Sequence, residues 1–269
     1  MLVASKHAII TGGSSGIGLA IARQLADSAD DWHLSLVARD PERLKCAAAS
    51  LKLPAKRTAH FPADVSDQAA ITLAINKSIN TFGAPDLLVT SAGIAQPGHF
   101  TELDPPIFQQ AMDVNYFGTL YAVQAAAPVM REAGRGHIVM ISSGAALIGV
   151  YGYSAYCPSK FAVRGLAEVL RAEFKPDGVN VSIVYPPDTD TPQLTQENKT
   201  KPDETFAISG NAQTWNADDV AKIIMKRIKQ NRFSITPGFE MTVLGRLGSL
   251  INPLLQHYFD YLVRKVRKS

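Results

Sequence analysis

Cysteine is almost missing from this 269-residue chain, which contains only Cys46 and Cys157. Two thiols so far apart in sequence make neither a disulfide framework nor a metal-spaced pair, so a reducing compartment is the expected setting. The six histidines (His7, His33, His60, His99, His137 and His257) are dispersed without ligand spacing, so no metal is expected. A large excess of charge is lacking too. Lys and Arg total 27 against 24 Asp and Glu, and the whole surplus falls after residue 239. There Arg246, Arg264, Lys265, Arg267 and Lys268 meet only Glu240 and Asp260. A neutral body has no basic surface for a phosphate backbone, so nucleic acid is not an expected partner. The N-terminus passes directly into an apolar run without a signal-peptide region or cleavage site of its own. The expected location is cytoplasmic, either free or peripheral on the cytoplasmic face of a membrane.

No clean membrane-spanning run occurs either. Residues 136–159 contain no Asp, Glu, Lys or Arg, but Gly144, Gly149, Gly152, Pro158 and several serines interrupt them. The stretch reads as a buried strand followed by a site loop. What the chain does have is 46% hydrophobic residues at a mean hydropathy of +0.01, enough for a substantial core. Its 19 Gly and 16 Pro show neither collagen-like nor linker-like bias.

Apolar patterning alternates between short strands and helices. Strands are predicted at 8–10, 33–37, 56–61, 86–90, 136–141, 180–184 and 233–235. Helices are predicted at 19–25, 42–50, 68–82, 105–114, 117–132, 159–174 and 217–230. This is an α/β pattern: one Rossmann-type, doubly wound parallel sheet of about seven strands with helices on both faces. Residues 1–239 are expected to form one cofactor-binding and catalytic domain with a polar lid at about 190–215. Residues 240–269 would be its basic, amphipathic helical extension. Apolar residues recur there at 243, 244, 247, 250, 251, 254, 255, 258, 259 and 262, and Asn252-Pro253 is expected to split the helix, with Asn252 capping the second piece. Its charge-free run, 247–259, is too short for a simple span. Two readings stay open: 243–268 lies on an anionic membrane surface, or it packs over the cleft or a partner subunit.

After the first strand comes Thr11-Gly12-Gly13-Ser14-Ser15-Gly16-Ile17-Gly18, which then opens a helix. Glycines at 12, 16 and 18 permit a tight turn and close approach to a pyrophosphate, and free amides at the helix start attract negative charge. Gly12, Ser14, Ser15, Gly16, Ile17 and Gly18 are therefore candidate cofactor contacts. Farther on, Tyr156 and Lys160 sit four apart at the start of a helix, on one face. A ketone accepting hydride needs a proton at oxygen, and a tyrosine can give it if a nearby ammonium lowers its pKa. Ser143, at the end of the fifth strand, is placed to bond the developing alkoxide, while Ser142 supports backbone. Tyr151 and Tyr153 read as apolar wall, and Cys157 as a packed thiol.

The Gly-x-x-x-Gly-x-Gly turn together with Ser143, Tyr156-x-x-x-Lys160 and Asn115-Tyr116-Phe117-Gly118 resembles the short-chain dehydrogenase/reductase family. The resemblance implies a catalytic tetrad of Asn115, Ser143, Tyr156 and Lys160, with Asn115 holding a water that relays protons toward Lys160, and Lys160 also gripping the nicotinamide ribose. It implies Asp64 and Val65 beside the adenine, and Ser91, Ala92 and Gly93 beside the adenosine ribose. Pro186, Thr189 and Thr191 would lie toward the nicotinamide, Thr189 and Thr191 at its carboxamide. Family members that use NAD carry an acid at the end of the second strand. Here Arg39 stands there, which favours NADPH/NADP+. Homo-oligomers, dimers or tetramers built through helices around 105–130 and 159–174, are implied as well.

Most of the family begins the nicotinamide-facing loop with Pro-Gly. This chain reads Tyr185-Pro186-Pro187-Asp188-Thr189-Asp190-Thr191-Pro192, followed by Glu197-Asn198-Lys199-Thr200-Lys201-Pro202. That block is similar to one subgroup, the 3-ketodihydrosphingosine reductases. It implies a long-chain ketone substrate reduced at C3. Reduction of another lipid, steroid or small ketone, or a non-enzymatic NADP(H) sensor, are the alternatives.

Overall fold

The computed structural model describes residues 5–210 and 214–268. Part of the expected lid, 211–213, and the last residue of the tail lie outside the described residues. The chain runs β1 (Lys6–Thr11), α1 (Gly16–Ala26), β2 (Trp32–Ala38), α2 (Pro41–Ser50), β3 (Thr58–Pro62), α3 (Gln68–Phe82) and β4 (Leu87–Thr90). Then follow α4 (Pro105–Ala111), α5 (Gly118–Glu132), β5 (Gly136–Ile141), α6 (Tyr156–Phe174) and β6 (Val179–Val184). The remainder is β7 (Thr189–Asp190), α7 (Pro192–Glu197), α8 (Asp203–Ser209), β8 (Trp215–Asn216), α9 (Ala217–Ile228), β9 (Ser234–Ile235) and α10 (Phe239–Val266).

Seven parallel strands form one sheet in the order β3-β2-β1-β4-β5-β6-β9. Successive strand residues point to opposite faces, and both faces are dry. Ile9, Leu88, Ile138 and Ile183 pack on one side against α3, α5 and α6. Ile10, Leu36, Val89 and Val139 pack on the other against α1, α2 and α9. That is why the strands read as continuous apolar runs rather than alternating ones. Each fully buried Ile or Leu contributes about 1.5–3 kcal/mol of transfer free energy. Strand order reverses between β1 and β4, leaving a crevice beyond their carboxyl ends, the place where open α/β sheets take ligands.

Three expectations need correction. The helices expected at 105–114 and 117–132 are one continuous rod, joined by a π-helical segment at Met112–Phe117 that contains Asn115. A single extra residue per turn escapes a reading based on 3.6-residue periodicity. The tail is not split: α10 runs 28 residues through Pro253. Asn252 does not cap a helix; its Nδ2 donates to the Leu147 carbonyl at 3.4 Å. A two-residue parallel pair, β7 with β8, was not anticipated and ties the loop after β6 to the start of α9.

Candidate active site

Beyond the carboxyl ends of the strands lies a cleft of about 1040 Å³. Gly12, Ser14, Ser15, Gly16, Ile17, Arg39, Asp64, Val65, Ser91, Ala92, Gly93, Ser143, Tyr156, Lys160, Pro186, Thr189 and Thr191 all line it. Gly18 and Asn115 do not; they stand behind the wall. A Cβ on Gly18 would sit 2.5 Å from the Gly12 carbonyl oxygen, so Gly18 lets the turn close on itself.

At one end the geometry suits a dinucleotide. Gly12 has φ +66°, and a Cβ there would meet the Ala92 nitrogen at 2.6 Å. The start of α1 has no side-chain cap, so its first amides face the cleft ready for an anion. At the end of β2, Asp40 is consumed as the cap of α2, accepting from the amides of Glu42 and Arg43 at 3.0 and 3.1 Å. Arg39 remains, with its side chain 64% exposed and Asp64 as a distant partner at 4.0 Å. Arg43, which sequence reading did not single out, lines the same rim one helical turn along. Asp64 is tied up locally: its Oδ1 accepts from the Ser66 amide at 2.9 Å and the Ser66 hydroxyl at 2.7 Å. Thr191 caps α7 through the Leu194 amide at 3.2 Å, and its methyl lies 3.0 Å from where a Gly16 Cβ would be. It therefore packs against the glycine turn. Thr189 turns its hydroxyl back to the Pro187 carbonyl at 2.8 Å.

At the other end stand Ser143, Tyr156 and Lys160. Ser143 Oγ accepts from the Ala145 amide at 3.1 Å and makes a side-chain hydrogen bond to the Tyr156 phenol, facing the cleft. Ser142, by contrast, points inward and donates to the Lys160 carbonyl at 3.1 Å. Lys160 donates from Nζ to the Ile141 carbonyl at 3.2 Å and sits 5.6 Å from the Tyr156 ring centroid. Burial lowers the Lys160 pKa to about 8, opposed by the Glu197 charge. Rather than an ammonium depressing it, burial, reinforced by the Glu197 charge, pushes the Tyr156 pKa upward, and contacts from Ser143 and Gln193 only partly offset this.

Asn115 is fully buried, and the π-helical segment aims its side chain across the rod. Its Oδ1 accepts from the Ile94 amide at 2.9 Å, and its Nδ2 donates to the Ile94 carbonyl at 3.0 Å and to Ser159 Oγ at 2.9 Å. Ser159 in turn donates to the Tyr156 carbonyl at 2.7 Å. The four expected residues are therefore linked around the first turn of α6.

Other cleft residues went unread. Tyr153 is not an apolar wall: its hydroxyl donates to Glu197 Oε2 at 2.8 Å, and Gln193 Nε2 donates to Oε1 at 2.8 Å. Gln193 and Glu197, four apart on α7, were visible as a spacing but had no expected role. Tyr151 lies outside the cleft, and its hydroxyl donates to Glu204 Oε1 at 3.2 Å. Cys157 is buried with its pKa raised by that burial, in keeping with a packed thiol. Met241, Leu244 and Phe259 of α10 close the roof. Gly12-Gly13-Ser14-Ser15-Gly16 also spells the Gly-x-Ser-x-Gly of a hydrolase elbow. No histidine among the described residues hydrogen-bonds Ser14; His7 and His137 are paired with Ser35 and Ser182 instead.

Comparison with known proteins agrees with this geometry. Residues 6–202 match the family model described as short chain dehydrogenase. A 3-ketodihydrosphingosine reductase of Dictyostelium discoideum is 38% identical, over 97% of this chain and 83% of that protein. A 3-ketodihydrosphingosine reductase of Mus musculus is 39% identical, over 92% and 76%. Among solved structures, an alcohol dehydrogenase from Thermococcus sibiricus complexed with 5-hydroxy-NADP is 27% identical with a TM-score of 0.73, covering 84% of this chain and 91% of that one. With its sheet order, glycine turn and Ser143, Tyr156 and Lys160 around one cleft, the chain belongs to the short-chain dehydrogenase/reductase family.

Proposed function

We propose that this chain reduces the C3 ketone of 3-ketodihydrosphingosine to sphinganine with NADPH. The observation that carries the chemistry is the convergence of Ser143, a neutral Tyr156 and a buried Lys160 at the nicotinamide end of a cleft built for a dinucleotide. The likeness to two reductases of that name supports the substrate. Arg39, with Arg43 beside it, supports a 2′-phosphate at the ribose.

Bound NADPH supplies the hydride. Ser143 turns its hydroxyl from the phenol to the ketone oxygen and orients it by a hydrogen bond, and the Tyr156 phenol protonates that oxygen as charge develops. One ketone, one hydride and one proton give one alcohol and the oxidised dinucleotide. The Lys160 ammonium stabilises the phenolate left behind and passes it a replacement proton, itself replenished from solvent. Asn115 acts behind the wall, locking Ile94 and Ser159 and so fixing where Tyr156 enters the helix. It also offers the place for a relay water toward Lys160.

Residues 1–239 act as the cofactor-binding and catalytic unit, and 240–269 as its cover. The tail combines the two roles left open by the sequence. The inner face of α10, with Met241, Leu244 and Phe259, roofs the cleft. Its outer face exposes Leu247, Leu250, Leu254, Tyr258 and Tyr261, with Leu250 and Leu254 each 74% exposed, beside Arg264 and Lys265. That stripe fits an anionic lipid surface, from which a long-chain ketone would enter. No helix among the described residues is long and apolar enough to cross a membrane. Homo-oligomerisation would use α4, α5 and α6, where Phe161 and Val169 are exposed.

The test is NADPH oxidation by the purified chain with 3-ketodihydrosphingosine, beside NADH and a panel of steroid and small ketones. The expected result is turnover preferring NADPH, reduced by about 10²–10⁴-fold in Tyr156→Phe while dinucleotide binding persists. Turnover confined to other ketones would overturn the substrate but leave the chemistry standing.

A further inference from the structure

Glu197 is a carboxylate in an unusual position. The residue is 7% exposed, and it lines the cleft on the same side as Tyr153, Tyr156 and Gln193. Both oxygens are held by neutral donors, Oε2 by the Tyr153 hydroxyl and Oε1 by Gln193 Nε2, each at 2.8 Å. Among the described residues no lysine or arginine comes within ion-pair distance of it. Two cations stand farther off: buried Lys160, which feels the Glu197 charge, and Lys201, which is engaged with aromatic faces, 5.3 Å from the Phe206 ring centroid and 6.0 Å from that of Tyr153. Asp188 adds a repulsive charge, and burial raises the Glu197 pKa. A buried carboxylate with hydrogen bonds but no cation in direct contact is costly, and a cation brought against it by a ligand relieves that cost.

Its distance from the reacting atoms is short in bonding terms. Gln193 touches both Glu197 and the Tyr156 phenol, and the Tyr153 and Tyr156 ring centroids are 5.6 Å apart. A ketone oxygen meeting Tyr156 thus places its neighbouring carbon near Glu197. In a 2-amino-3-ketone that carbon bears an ammonium. We propose that Glu197, held by Tyr153 and Gln193, is the receptor for the substrate's ammonium and selects 2-amino ketones over plain ketones. This rests on the reading that the site reduces a sphingoid ketone. Glu197 is a specificity residue: it pairs with the substrate but moves no hydride or proton.

The experiment compares kcat/KM for 3-ketodihydrosphingosine with that for the analogue carrying hydrogen in place of the amino group, in the wild type, Glu197→Gln and Glu197→Asp. The wild type is expected to prefer the amino ketone by about tenfold or more, mainly through KM. In Glu197→Gln that ratio collapses toward unity, and in Glu197→Asp it falls partway. Because the readout is a ratio within one preparation, partial misfolding does not move it, and the Asp variant reads the same ratio if the Gln variant fails to fold. An unchanged ratio, with both substrates slowed alike, would overturn the receptor and leave Glu197 as a lid fastener. A wild type that reduces the deaminated ketone and not the amino ketone would overturn both the receptor and the substrate reading. Those two failures are distinguishable by the wild type alone.

Discussion

Arg267 donates from Nε to Glu204 Oε1 at 3.1 Å, joining the last turn of α10 to α8. A terminal nitrogen of the same guanidinium reaches the Tyr151 hydroxyl at 2.8 Å. The Glu204 side chain is only 9% exposed, so this clasp shields one carboxylate and shuts the tail over the lid. Arg267→Ala is expected to free the tail. Limited proteolysis should cut earlier at Arg264 and Lys265, and KM for a long-chain ketone should rise by about two- to fivefold. Turnover of a short ketone, which needs no roof, should stay within error; a loss of equal size there would place the effect in the chemistry.

Arg39 and Arg43 share a rim of the cleft with no strong carboxylate partner on the Arg39 side chain. Losing one charge-assisted contact to a 2′-phosphate is worth about 1.5–3 kcal/mol. Arg39→Ala should therefore raise KM for NADPH by about 10- to 100-fold and leave KM for NADH nearly unchanged. Titration of the variant with both dinucleotides reads this directly, and equal weakening of the two would remove Arg39 from phosphate recognition.

Burial sets the Lys160 pKa at about 8, so its ammonium is present below that pH and lost above it. Reductive kcat/KM should fall above pH 8 with a slope of about −1 in log units. Lys160→Arg keeps a cation at every accessible pH, so whatever activity it retains should lack this alkaline limb. An unaltered limb in the variant would assign the titration to another group.

His7 and His137 are buried inside the sheet region, and each has a pKa lowered to about 4 by that burial. His7 bonds the Gly83 carbonyl and Ser35, and His137 bonds Ser182. The unfolded chain, with histidines near 6.5, binds more protons than the native chain between pH 6.5 and 4. Stability from these groups is therefore whole above 6.5 and is lost as pH falls through that window, by about 3 kcal/mol for each at the low end. Thermal melts at pH 7.5 and pH 5 should differ markedly, and His137→Gln should shrink the difference; a pH-independent melt would exclude both histidines.

The helix Gln68–Phe82 and the strand Gly136–Ile141 were legible to the residue, because each is bounded by local signals: the capping Asp67 and Gly83 in one case, the polar loops in the other. The π-helical segment was not, since nothing local distinguishes Met112–Phe117 from ordinary helix. What places Asn115 is its grip on Ile94, residues away across the fold.

By itself the amino-acid sequence determined the parallel sheet and the glycine turn, because these depend on short-range periodicity and on the conformational freedom of glycine, and its resemblance to the family pointed to Ser143, Tyr156 and Lys160. Only the tertiary structure decided the rest. It put the Tyr156 pKa up, because burial and the Glu197 charge act together against the phenolate, and it ran α10 unbroken through Pro253. It also turned Tyr153 and Gln193 onto a buried Glu197, because desolvation and hydrogen-bond partners come from residues that meet only when the chain has folded.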